Sequence, residues 1–73
     1  MSREKKARAA RRREREDLCN QVQSLHDQLS EVYSRFDRIT DPGQVDACIF
    51  EMNAILSKYD YAVRSLKEFD GGT

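Results

Sequence analysis

Seven cations crowd into eleven positions near the start of this chain: Lys5, Lys6, Arg8, Arg11, Arg12, Arg13 and Arg15. On a helix, Lys5, Arg8, Arg11, Arg12 and Arg15 fall within roughly a third of the circumference. Such a ridge suits a phosphate backbone, where each neutralised phosphate releases counterions. Arginine adds forked contacts to phosphate or carboxylate. No aromatic residue is interleaved, so base stacking is not indicated. The competing reading is a solvated tail that aids solubility.

The rest of the chain holds little that could catalyse. His26 is the only histidine, and no further ligands are spaced to converge on a metal with it. Asp37, Asp41 and Asp46 cluster, but without the spaced acidic run ending in Glu that a calcium loop needs. There is no glycine-rich phosphate loop, Gly-x-Ser-x-Gly elbow or cysteine–histidine arrangement. The expectation is no enzyme, no cofactor and no metal. Asn53, Tyr61 and Arg64 form a candidate partner face, since tyrosine and arginine favour interfaces. The plainer reading there is an Asp60–Arg64 surface ion pair with Tyr61 lying over its helix.

Size and composition bound the fold that must carry these groups. A chain of 73 residues is one domain at most. Charged residues make up 36% and aromatics 8%, which leaves little material for a core. Oligomerisation is the usual remedy when disulfides and metals are missing. Net charge is zero but uneven: residues 1–17 carry +4 and residues 18–73 carry −4. The acidic part could attract the basic part of a neighbouring copy. No run of eighteen apolar residues exists, so no membrane-spanning helix is expected. The N-terminal charges are not followed by an apolar stretch, which argues against a secretory signal and for a cytoplasmic protein.

Two apolar series supply the elements. The first is Leu18, Val22, Leu25, Leu29, Val32, Phe36 and Ile39, in alternating four- and three-residue steps. The second is Val45, Cys48, Met52, Ile55, Tyr59, Ala62, Leu66 and Phe69. Between them lies Thr40-Asp41-Pro42-Gly43-Gln44, with Asp41 as helix N-cap, Pro42 at the first helical position and Gln44 at the third. Pro42 also disfavours helical geometry at Asp41, stopping the first helix. The pattern predicts an all-α antiparallel two-helix hairpin, coiled-coil-like. Its helices should run from about 15 to 39 and from about 42 to 69, around a turn at 40–41. Residues 1–14 would be a basic extension, helical or disordered, and 71–73 a tail. Glycine in Asp70-Gly71-Gly72 would end the second helix in left-handed geometry. Glu4–Arg8 and Glu31–Arg35 are favourable four-apart pairs.

In this register Phe36 meets Cys48, Val32 meets Met52 and Leu29 meets Ile55. Leu18 meets Leu66, and the second helix runs out opposite Arg15. Cys19 and Cys48, the only cysteines, then lie too far apart to pair, because Cys19 precedes Phe36 by seventeen residues, roughly 26 Å of helix. Reduced, buried thiols are expected. Beside the second seam stand Ile49, Leu56 and Val63, seven apart, making a wide stripe with Met52, Tyr59 and Leu66. A wide stripe calls for a second contact. Two hairpins in a four-helix bundle would supply it, with Ile49, Met52, Leu56 and Val63 as the self-association surface. A basic leucine zipper fits poorly. Leu18, Leu25, Val32 and Ile39 are seven apart, but the basic stretch lacks a base-reading asparagine and Asp41-Pro42 ends the heptads.

Phe36-Asp37-Arg38-Ile39-Thr40-Asp41-Pro42, Asp46-Ala47-Cys48-Ile49-Phe50-Glu51-Met52-Asn53-Ala54, Tyr59-Asp60-Tyr61 and Arg64 carry a resemblance. Over about residues 29–67 the chain resembles the YaaL-like family of small uncharacterised bacterial proteins. The resemblance implies a cytoplasmic bacterial protein, linked to spore-forming lineages or their phages. It carries over no activity and no catalytic residue, and the basic segment departs from its pattern. Three functions remain in view. One is a non-enzymatic adaptor or regulator, dimeric and with an unknown protein partner. A second is a nucleic-acid-associated protein using the basic segment. A third is a small phage-type inhibitor of a bacterial protein.

Overall fold

The computed structural model describes residues 2–71. Two helices account for nearly all of it: α1, Ser2–Phe36, and α2, Pro42–Gly71. They pack along each other as an antiparallel hairpin, with no strand among the described residues. The molecule is a rod of 61 × 17 × 12 Å. Its radius of gyration is 17.3 Å, against about 11 Å for a compact chain of this length.

α1 starts at Ser2, so the basic segment is helical and continuous with the hairpin. Residues 3–36 contain no Gly or Pro, and the first third is Arg, Lys, Glu and Ala, all good helix formers. The helix ends at Phe36, three residues short of Ile39. Its exit tightens into 3₁₀ geometry: Arg38 N–H donates to Arg35 O at 3.0 Å and Ile39 N–H to Phe36 O at 3.3 Å. Arg38 folds back, donating from Nε to Ser34 O at 3.3 Å, and so covers a terminal carbonyl. The turn therefore occupies 37–41 rather than 40–41. Pro42 disfavours helical geometry at Asp41, and a link over 37–41 is within the ordinary range for an antiparallel helix pair. Ile39 leaves the helix yet still packs against the core.

Asp41 caps α2. Gly43 N–H donates to its Oδ1 at 3.1 Å, and Val45 N–H donates to its backbone O at 3.0 Å. The reciprocal bond from Gln44 is not made among the described residues, so the capping box is half formed. At the other end Gly71 is the last helical residue, and no described glycine has positive φ. Gly72, the other expected C-cap glycine, lies outside the described residues.

Every residue of the two apolar series is buried or half-buried. The centre is small: Val32, Cys48 and Ile55, flanked by Leu25, Leu29, Phe36, Ile39 and Met52. Val32 is the only large side chain among the described residues that is fully enclosed. Cys48 Sγ lies 3.7 Å from Val32 O, which fixes the register near the turn. Both cysteines are free.

Candidate interaction surfaces

The hairpin has two flanks, and the sequence positions next to the buried ones assign them. In each helix, the residue one after a buried position lies about 100° around the axis, and the residue three after lies about 60° the other way. In an antiparallel pair these offsets point to the same side on both helices. Arg35 and Glu51 are the third residues after Val32 and Cys48, and Arg35 Nη2 donates to Glu51 Oε1 at 2.8 Å. That is the polar flank. The local Glu31–Arg35 pairing expected from spacing gives way to this bridge between helices. The hydrogen bond and charge of Glu51 push the Arg35 pKa further above its ordinary value.

On the opposite flank lie the residues one after the buried positions. From α2 these are Ile49, Leu56 and Val63, following Cys48, Ile55 and Ala62. From α1 they are Cys19, His26 and Tyr33, following Leu18, Leu25 and Val32. Ile49 and Leu56 are exposed, at 40% and 37%, while Val63 is half-buried. Tyr33 is also exposed and extends the apolar stripe onto α1. Sequence reading passed over Tyr33; its signal was the seven-residue spacing of Cys19, His26 and Tyr33. Met52, expected both in the seam and on this surface, is half-buried and packs against the intramolecular core. His26 is exposed beside Asp27, with Nδ1 3.7 Å from Asp27 Oδ1. Among the described residues no cluster of His, Cys, Asp or Glu could hold a metal ion. No described helix is long and apolar enough to cross a membrane.

Phe50 and Tyr61 are the most exposed aromatics, at 76% and 70%. Tyr61 borders a shallow groove with Ser24, Leu25, Ser57 and Lys58. Asp60 and Arg64 pair at 3.0 Å along the same helix. Asn53 is exposed and makes no side-chain hydrogen bond among the described residues. Asn53, Tyr61 and Arg64 are all exposed on α2.

The basic segment is where structure adds most. Arg15 forks onto Asp70, Nε to Oδ1 at 2.8 Å and Nη2 to Oδ2 at 3.0 Å. Asp70 is held below the usual carboxylate range, chiefly by the Arg15 hydrogen bond. The Arg11 guanidinium sits 5.0 Å above the Phe69 ring, and its Nη2 donates to Phe69 O at 3.5 Å. Arg11 and Arg15 thus tie α1 to the end of α2, and the free extension is shorter than residues 1–14. Glu4 pairs with Arg8 at 3.6 Å. Of the five-cation ridge, Lys5 and Arg12 remain without an acidic or aromatic partner among the described residues. Lys6 and Arg13 are exposed on other sides of the helix. Lys5, Arg8, Arg11, Arg12 and Phe69 border an open concavity of about 840 Å³.

The chain matches no family model, no curated protein and no solved structure.

Proposed function

We propose that this chain is a non-enzymatic helical interaction protein that works as a self-associated hairpin, an adaptor or regulator acting through protein–protein contacts. The observation that supports this most is the pairing of a minimal core with a one-sided apolar flank. The accessible surface is 5987 Å², against about 4,700 Å² for a compact chain of this mass. A stable interface typically takes about 800 Å² from each partner. An interface of that size centred on Ile49, Leu56, Val63 and Tyr33 would remove more than half of this excess. Two hairpins joined on these flanks make a four-helix bundle, and each helix then buries the wide apolar face such bundles require. Phe50 and Tyr61 remain outside that bundle, available to a different protein.

Leu56→Glu tests the reading. It should yield monomers, or an unfolded chain if the hairpin depends on its partner. A variant as dimeric and as stable as the wild type would remove the stripe as the interface. This reading includes a cytoplasmic, bacterial origin, for which the resemblance of residues 29–67 to the YaaL-like family is the support.

The exposed cations Lys5, Arg8 and Arg12 on one side of α1 favour a second reading, in which the basic segment contacts nucleic-acid phosphates. A steep fall in affinity for a DNA or RNA duplex with rising salt would support it. No binding at low salt would sink it.

A further inference from the structure

The self-association face has a direction. The geometry points to a second copy of this chain docked antiparallel on the Ile49/Leu56/Val63 flank, with the root of each basic segment against the acidic turn of its partner. This rests on the self-association reading above and adds the orientation.

Three observations carry it. The first is where the apolar flank lies along the rod. Cys48 Sγ touches Val32 O, while Arg35 and Arg15 reach Glu51 and Asp70 through long side chains. Leu56 is therefore level with residues 24–29 of α1, and Ile49, Leu56, Val63 and Tyr33 are centred near that height. A two-fold axis through this centre superposes apolar on apolar, as an isologous pair requires.

The second is charge. One end of the rod carries the basic segment, and residues 1–17 hold a net +4. The other end is the turn, where Asp37, Asp41 and Asp46 outnumber Arg38. A parallel dimer would stack like charges at both ends. An antiparallel dimer opposes them.

The third is length. α1 spans 35 residues and outruns the end of α2, leaving residues 2–10 past the last α2 turn. With the axis near Leu56, each turn reaches the partner's α1 between about Ala9 and Arg15. The partner's Asp41 then comes within about one helical turn, roughly 5.4 Å of rise, of Arg12. Arg12 lies on the apolar flank of α1 and has no acidic partner within its own chain among the described residues. Arg15 is already committed to Asp70. Residues 2–9 of each protomer would project beyond the partner's turn as two basic arms, one at either end.

Distance between labels decides the orientation. Arg13 is exposed and makes no contact that the fold uses. A nitroxide on Arg13→Cys, in a Cys19→Ser background with Cys48 buried and unlabelled, reports the separation by pulsed dipolar spectroscopy. The antiparallel pair predicts about 35–50 Å, the rise of roughly twenty-two to thirty-two helical residues. A separation of about 20 Å, two packed helix widths, would mean a parallel dimer and overturn the orientation while leaving self-association intact. A monomeric labelled chain, with an unlabelled wild type equally monomeric, would overturn the self-association reading itself. A mass that grows without limit with concentration would mean open head-to-tail stacking and overturn the closed pair.

Discussion

Arg15 and Asp70 close the open end of the hairpin, with both guanidinium bonds at 2.8 and 3.0 Å across 55 positions of sequence. The Asp70 pKa is lowered, first by the hydrogen bond from Arg15. A depressed carboxyl pKa stabilises the fold above the unfolded value of about 3.9. That contribution is lost as pH falls through the lower folded value. Protection of the last turn of α2 against amide exchange, taken relative to the intrinsic rate at each pH, should therefore fall in acid below pH 4, and Asp70→Asn should show the lower protection already at neutral pH. Exchange in Asp70→Asn that matches the wild type at neutral pH would show that the pair does not restrain the helix end.

The core prediction is set by burial. Ile55 is one of four buried apolar residues among those described, and Ile55→Ala should cost about 3 kcal/mol. In so small a core that loss should unfold a large part of the population at room temperature, measured by helical circular dichroism during urea titration. Asp41→Ala removes the α2 cap and should cost about 1 kcal/mol, while Asp41→Asn should retain it.

Spacing along one helix carried the seam. Leu18 through Ile39 and Val45 through Phe69 all lie on the inward side, because a 3.6-residue period records which face is dry. Contacts between helices were less legible. Glu31 was the local partner expected for Arg35, but Glu51 faces it across the hairpin, and four-residue spacing says nothing about the second helix. Phe69 was read as a seam residue, and its stacking with Arg11 depended on where α1 passes the end of α2. The end of α1 falls at Phe36 rather than Ile39, and Ile39 keeps its place in the apolar period because it packs on the core from the turn. Tyr33 was hidden among the polar neighbours of α1, and its place beside the α2 stripe emerges only when both flanks are assigned together.

Truncation separates the parts of the basic segment. Deleting residues 1–9 should leave the thermal midpoint nearly unchanged, because that stretch touches no part of α2 through hydrogen bonds or ion pairs among the described residues. Deleting residues 1–14 removes Arg11 from Phe69 and should lower the midpoint by a few degrees at most, since the contact is exposed. A large fall with the shorter deletion would mean that the first two turns pack.

The antiparallel pairing makes Arg12 and Asp41 a coupled pair between protomers. Arg12→Glu and Asp41→Asn should each weaken the dimer several-fold in sedimentation equilibrium. Together they should weaken it by less than the product of the two, because the second change removes an acid whose arginine is already gone. Fully multiplicative effects would place the two residues out of reach of one another.

The apolar flank is the centre of the account, and the mass of the wild-type chain in solution tests it most directly. Light scattering over a range of concentrations, at low and at high salt, should give twice the 8.5 kDa of one chain, and the dimer should survive high salt because its centre is apolar. A mass of one chain at every concentration and salt would contradict self-association through Ile49, Leu56 and Val63.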